Sequence, residues 1–226
     1  MTEVHVEVDA GRAVVRFSDR GHGDLNADVV AAEVVAARWR AVADRPVTWV
    51  REVHGTAVVT VTADGPDARV GDALVTADRG VALGIWVGDC APVALVSAEG
   101  VVGAAHAGWR GLEAGVLHEV VTVMRRLGAT EIAAVIGPCL HVECNEFGRA
   151  DLDRLVARFG PDVAGTTAWD TPAFDLPAAV RAALAVDGVE VAPAPQPCTG
   201  CDRRYWSHRA RAERERHGMA VWLEAA

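Results

Sequence analysis

The stretch GDCAPVALVSAEGVVGAAHAGWRG (Gly88–Gly111) decides how the chain is read. Two short apolar runs, PVALVS and VVGAAH, flank Ala98-Glu99-Gly100, a step with the chemistry of a tight turn. Apolar runs of this length on either side of such a turn read as an antiparallel hairpin of buried strands. With the turn centred on those three residues, pairing sets residues near Ala91–Val93 across from His106. Asp89 and Cys90 then fall just past the pairing, at the same end of the sheet. A cysteine and a histidine 16 residues apart in sequence are therefore expected to be neighbours.

Outward from the hairpin, VALGIWV before it and IAAVIG after it read as further buried strands, the second ending at Pro138-Cys139. A long helix is expected from Leu112 to Leu127, stopped by Gly128. Helices follow over Asp151–Phe159 and Leu176–Val186. Towards the N-terminus, RAVVRFS (Arg12–Ser18) reads as a strand, and Asn26 as the N-cap of a helix through ADVVAAEVVAARWRAVA. VTWVREV and AVVTVTA are alternating and rich in β-branched residues, and DGPD (Asp64–Asp67) closes the second with a turn. APAPQP (Ala192–Pro197) is a connection, RYWSHRARAERERHG a charged helix candidate and MAVWLE a last strand. Strands and helices alternate irregularly around a central hairpin. The expectation is a mixed α/β (α+β) fold: a single domain over residues 1–226, with a mixed, partly antiparallel sheet and flanking helices.

Composition narrows the chemistry. Of 226 residues, 51% are hydrophobic and 23% charged, so a sizeable core can be buried. A formal net charge of −9 argues against a polyphosphate-binding surface, and no nucleic-acid partner is expected. All 22 basic residues are arginine, which removes lysine Schiff-base and general-base chemistry. The N-terminal stretch is acidic and alternating rather than basic then apolar, and no apolar run reaches membrane-spanning length. A cytoplasmic, reducing compartment is the expectation, with no membrane partner, so that the five cysteines act as ligands, nucleophiles or small buried hydrophobes.

REVHG (Arg51–Gly55) supplies a second histidine at the end of an apolar strand. His54, Cys90 and His106 together form a three-ligand set of soft and borderline donors. Such a set favours zinc and leaves the fourth tetrahedral position open, as a catalytic zinc requires. The plainer alternative makes Cys90 a buried small hydrophobe and His106 a satisfied core histidine. CTGC (Cys198–Cys201) has no strand before it, as a redox turn would need, and no second CxxC to complete a four-cysteine site. A structural role and a site-lining role both stay open for that pair.

Taken together, REVHGTAV, GDALVT, GDCAPV, HAGWRG, IGPC, NEFG and CTGC…YWSHR resemble, in order and approximate spacing, the YfiH-like laccase-domain family. Its members were formerly called multicopper polyphenol oxidoreductases and are now regarded as purine nucleoside phosphorylases with adenosine deaminase activity. The resemblance runs from about Arg20 to Met219. It implies a zinc-dependent enzyme that cleaves adenosine, inosine and methylthioadenosine with phosphate and also deaminates adenosine. Purine nucleosides and phosphate would be its small-molecule partners. Residue by residue, it places the metal ligands at His54, Cys90 and His106, a substrate-side arginine and asparagine at Arg20 and Asn26, and the motif arginine at Arg110. The chain departs from the family pattern at Glu52 (usually Gln), at Gly88 (usually Ala), at Asn145 (usually aromatic) and in its short segment between Arg20 and Asn26.

For such a reaction, Arg20 and Arg110 would hold the attacking phosphate, because bidentate guanidinium contacts fit that anion. The glycine-flanked start of the helix after His106 is a further anion site. Deamination needs an activated water, which zinc supplies by lowering its pKa, and a carboxylate to shuttle protons. Asp89 is the first choice for that carboxylate and Glu52 the second, so that Asp89, Cys90 and Arg110 form the expected catalytic set. Three rivals stand beside this reading: a copper-dependent polyphenol oxidase, a cysteine hydrolase using Cys90 and His106, and a non-catalytic partner of another enzyme. The first needs many more imidazoles than the scattered His5, His22, His118, His141, His208 and His217 supply.

Overall fold

In the computed structural model, which describes residues 1–9 and 11–224, the hairpin lies at the middle of a seven-stranded sheet. Strands β8 (Ala91–Ser97) and β9 (Val102–Ala107) pair antiparallel with Pro92 opposite His106, and Gly100 makes the turn at φ 93°. β10 (Ile132–Ile136) pairs antiparallel with β8, and β13 (Glu190–Val191) lies beyond it in parallel. On the other side, β6 (Ala73–Thr76) pairs antiparallel with β9, followed by β4 (Val58–Thr62) and β5 (Gly65–Pro66).

A second sheet has five strands in the order β1 (Thr2–Val8), β2 (Gly11–Phe17), β14 (His217–Glu224), β7 (Ala82–Val87) and β3 (Val47–Trp49). The two sheets pack face to face. The period of two along each strand sends Val15 and Phe17 of β2, Ile85 of β7 and Val221 of β14 into one core with Ala94, Val96, Val102 and Ala104 of the hairpin.

The opposite residues of the same strands face helices. Val14, Trp86 and Trp222 pack on Trp39 of α1 (Ala32–Ala43). Val93, Leu95 and Ala105 pack under α2 (Trp109–Ala114), α3 (Val116–Arg126), α4 (Arg149–Phe159) and α5 (Leu176–Val186). A small ribbon, β11 (Ala164–Thr166) with β12 (Pro172–Phe174), and the single helical turn α6 (His208–Arg211) complete a mixed α+β fold. No helix among the described residues is long and apolar enough to cross a membrane.

Three local expectations are revised, and one stretch left unassigned gains an element. Asn26 caps no helix: its Oδ1 accepts the Asp28 N–H at 3.0 Å in a turn, and α1 starts later, behind Ala31. The helix expected over Leu112–Leu127 is two helices, because Gly115 takes φ 100°, a left-handed state that ends α2 and starts α3. The charged tail yields only α6, since its polar groups find tertiary partners. The Ser207 N–H donates to Glu213, the Arg216 N–H to Asp24, and the Arg211 guanidinium to the carbonyls of Thr199, Gly200 and Tyr205. Finally, the acidic N-terminal stretch is itself a strand, β1, hydrogen-bonded to β2 from Thr2 opposite Phe17 onwards.

Candidate metal centre and its cavity

Three separate structural devices bring His54, Cys90 and His106 together. His106 is placed by its register in β9, and Cys90 by the bend that enters β8. His54 comes from the loop between β3 and β4 and has φ 59°, a left-handed backbone uncommon outside glycine. Asp72 holds that backbone in place. Its carboxylate accepts the N–H groups of Val53, His54 and Gly55 at 3.1, 2.7 and 2.7 Å.

Asp72 is fully buried, and its Oδ1 also lies 3.0 Å from His106 Nδ1. Donation from Nδ1 leaves Nε2 as the ring nitrogen free to bind a metal. Burial alone would raise the Asp72 carboxyl, but His106 and the backbone N–H groups outweigh it and hold it below the ordinary range.

Donor atoms of the three residues lie within 4.8 Å of one another. Cys90 Sγ is 3.9 Å from His54 Nε2, and the two imidazoles meet edge to face with centroids 4.7 Å apart. Gly108 makes room for them: a Cβ there would stand 3.0 Å from both Cys90 Sγ and His54 Cδ2. Burial opposes ionisation of the Cys90 thiol, yet His106 and His54 bring it down to about 6. A low thiol, two imidazoles with one tautomer fixed, and a glycine-cleared approach fit a zinc ion with three protein ligands.

The triple forms the floor of a cavity of about 470 Å³, a size suited to a small-molecule ligand. Trp109, Phe147 and Phe174 make an aromatic wall, with ring centroids 5.5 Å apart for the first pair and 5.2 Å for the second. Three guanidinium groups line the same space. Arg110 lies over the Trp109 ring at 4.1 Å, Arg209 donates to the Glu146 carbonyl, and Arg216 donates to the Glu215 carbonyl at 2.9 Å. None of the three is paired with a carboxylate among the described residues.

Gly88, one of the departures noted above, lets Arg216 cross: a Cβ there would stand 3.3 Å from its guanidinium carbon. Asn145 turns its amide onto the Phe174 carbonyl at 2.8 Å, which holds the aromatic wall from behind.

Of the residues singled out from sequence, Asn26, Glu52, His54, Asp89, Cys90, His106 and Arg110 all line the cavity. Arg20 does not. Its guanidinium is bound to Glu213 and to the Tyr205 carbonyl, over the Trp206 ring. Asn26 is tied to the Arg214 carbonyl at 2.8 Å.

Both Asp89 carboxylate oxygens are occupied, by the Thr199 and Ser207 hydroxyls at 2.7 and 2.6 Å and by the Arg209 N–H at 2.6 Å. Glu52 differs. It accepts the Trp86 N–H at 3.0 Å, its other oxygen is 3.7 Å from His106 Nδ1, and burial raises its carboxyl to about 7.

Sequence reasoning missed Asp72, Arg209 and Arg216. Asp72 did carry a signal, as a lone carboxylate opening the buried strand of GDALVT. The two arginines are indistinguishable by sequence from their neighbours in an arginine-rich tail.

A family model described as multi-copper polyphenol oxidoreductase laccase matches residues 18–224. A purine nucleoside phosphorylase of Streptomyces coelicolor is 38% identical over 208 residues, which are 89% of this chain and 85% of that protein. An adenosine deaminase from an unknown prokaryotic organism is 36% identical over 143 residues, 58% of this chain and 53% of that protein. Among solved structures, the Neisseria meningitidis protein NMB0706 shares the fold with a TM-score of 0.81 at 23% identity, over 100% of both chains.

Proposed function

Because the chain belongs to the multi-copper polyphenol oxidoreductase laccase family, and is similar over most of its length to a purine nucleoside phosphorylase, we propose that it is a zinc-dependent purine nucleoside phosphorylase with adenosine deaminase activity. Adenosine, inosine and methylthioadenosine are the proposed nucleosides. One observation carries the reading: the His54, Cys90 and His106 donors and three guanidinium groups without carboxylate partners converge on a single aromatic-walled cavity.

In phosphorolysis the nucleoside's glycosidic bond breaks, phosphate oxygen bonds to C1 of the sugar to give the sugar 1-phosphate (ribose 1-phosphate from adenosine or inosine), and the base leaves with the proton that the phosphate gives up. Arg110 binds the phosphate dianion, joined by Arg209 and Arg216, because charge-assisted guanidinium contacts fit phosphate oxygens. Arg20 supports this from behind, through Glu213 and Tyr205, by fixing the segment that carries the other two arginines. The purine stacks on the wall of Trp109, Phe147 and Phe174.

His54, Cys90 and His106 would hold the zinc, which when bound supplies Lewis acidity at the cavity floor. Glu52 is the carboxyl that holds and releases a proton near neutrality, as deamination at C6 requires. Asp89 positions the segment that carries Arg209, through Thr199, Ser207 and the Arg209 N–H.

The test supplies adenosine or inosine to pure protein, with and without phosphate and with and without a chelator. Free base and ribose 1-phosphate report phosphorolysis, and inosine from adenosine reports deamination. Base release that ignores phosphate would sink the phosphorylase assignment.

A second reading, cysteine hydrolysis, draws on the low Cys90 thiol beside His106. It requires activity that survives chelation and dies with thiol alkylation. The copper polyphenol oxidase reading requires dioxygen uptake with a phenol. Only two of the eight histidines meet at this cluster; His5 and His118, for instance, are each beside a carboxylate elsewhere.

A further inference from the structure

We propose that Glu143, Cys144, Cys198 and Cys201 form a second metal site, a structural one that takes zinc. The four donor atoms lie within 4.8 Å of one another and come from two distant segments. One segment is the turn Val142–Cys144 after β10, and the other is the CTGC turn before α6.

The spacing suits a tetrahedral ion. Zinc–sulfur bonds of about 2.3 Å put the edges of a tetrahedron at roughly 3.7 Å. Cys144 Sγ lies 3.4 Å from Cys201 Sγ, and Cys201 Sγ lies 3.5 Å from Glu143 Oε1. Three sulfurs and one carboxylate fill all four positions, which is the closed arrangement of a structural site.

Two further features belong to a metal-binding turn rather than to a chance cluster. The backbone N–H of His141 donates to Cys198 Sγ at 3.4 Å. Such a donor favours the thiolate, the form that binds metal, against the burial that holds this thiol above its ordinary range. Gly200 is also required by the approach itself: a Cβ there would stand 2.8 Å from Cys144 Cβ and 2.9 Å from its sulfur. A disulfide between Cys144 and Cys201 would use two of the four donors, whereas one ion would use all four.

The site would clamp one wall of the cavity. Thr199, inside the CTGC turn, donates to Asp89 at 2.7 Å, and Arg211 donates to the carbonyls of Thr199 and Gly200 at 3.0 and 2.8 Å. Arg209, in the α6 turn ten residues on from Thr199, lines the cavity. Binding zinc displaces the thiol protons to solvent, so loading lowers the pH of a weakly buffered sample.

Metal analysis of the full chain tests this, and the test stands apart from the reaction assigned above. Protein loaded with zinc and freed of excess is expected to hold two equivalents in the wild type. Cys90→Ala and Cys201→Ser are each expected to hold one, and the double variant none. Cys201 is exposed, so its serine variant is expected to fold, which circular dichroism checks. Cobalt alone, added to the metal-free Cys90→Ala protein, is expected to give the near-ultraviolet thiolate-to-cobalt band, with the cluster itself unaltered.

A Cys90→Ala protein that holds no zinc and gives no such band overturns the proposal. So does a Cys144–Cys201 disulfide found by peptide mapping in metal-free protein that then refuses zinc after reduction.

Discussion

The cluster of His54, Cys90 and His106 and the cluster of Glu143, Cys144, Cys198 and Cys201 use similar residue types on different plans. The first hangs from strand ends, offers three donors and opens onto the cavity of about 470 Å³. The second is made wholly of turns and offers four donors, enough to close around an ion. An open position admits substrate, whereas a closed shell can only hold chain segments together. A hydrogen bond from Thr199 to Asp89 at 2.7 Å joins the residue after one cluster's first CTGC cysteine to the residue before the other cluster's cysteine. On the two proposals made above, the difference teaches that the same thiol chemistry would serve reaction or architecture according to how many donors the backbone delivers.

The largest expected effect breaks the comparison at its open side. Cys90→Ala should lower both nucleoside reactions at least about a thousandfold, the scale of removing a metal's charge stabilisation. Its thermal midpoint, measured without added metal, should move by no more than about 4 °C, equivalent to roughly 1 kcal/mol at this chain length. An unfolded Cys90→Ala protein would show that the open cluster also holds the fold, and the contrast would fail.

Arg110→Ala comes next and separates the two reactions. Only phosphorolysis brings a dianion into the cavity, so it should fall about 30- to 1,000-fold, for a loss of roughly 2–4 kcal/mol, while deamination changes little. Product analysis from adenosine with phosphate gives both rates at once. An equal fall in both would make Arg110 a support for the cavity's shape.

Asp72→Asn acts one layer behind the ligands. It weakens the hold on the His54 loop and on the His106 tautomer, and zinc affinity at the open cluster should drop about 10- to 100-fold. Titration of the metal-free protein against a zinc indicator measures it, with the second cluster's affinity unchanged as the internal control. Loss at both clusters would point to general unfolding.

Gly108→Ala should have the smallest effect. The added methyl meets Cys90 Sγ and His54 Cδ2 at 3.0 Å, which a few tenths of an ångström of movement can relieve. A cost of about 1 kcal/mol, under tenfold in zinc affinity, is expected. An unchanged affinity would show that the ligands already sit further apart when loaded.

Part of this contrast was legible in the sequence. The turn at Ala98–Gly100 and the even run of apolar residues around it were enough to bring Cys90 and His106 to one end of a sheet, because strand register follows from turn position. The helix expected near Leu176–Val186 has those bounds in the structure, where Asp175 caps it and Pro177 sits in its first turn. The motif triple was legible as a ligand set for the same kind of reason, from residue type at strand ends. CTGC was legible only as half of something. Its other half, Glu143-Cys144, has no CxxC spacing, so nothing local marked it.

What the sequence determined by itself is what depends on neighbours a few residues apart: the hairpin, its register, the helices with clear caps, and the donor types of the open cluster. The tertiary structure alone decided which arginines face the cavity, that Asp89 is tied to Thr199 and Ser207 while Glu52 stays poised beside His106, and that the second cluster exists at all. Those outcomes depend on segments tens to more than a hundred residues apart. Each buried polar group there takes whichever partner the packed chain brings within hydrogen-bond reach, and no local pattern records that choice.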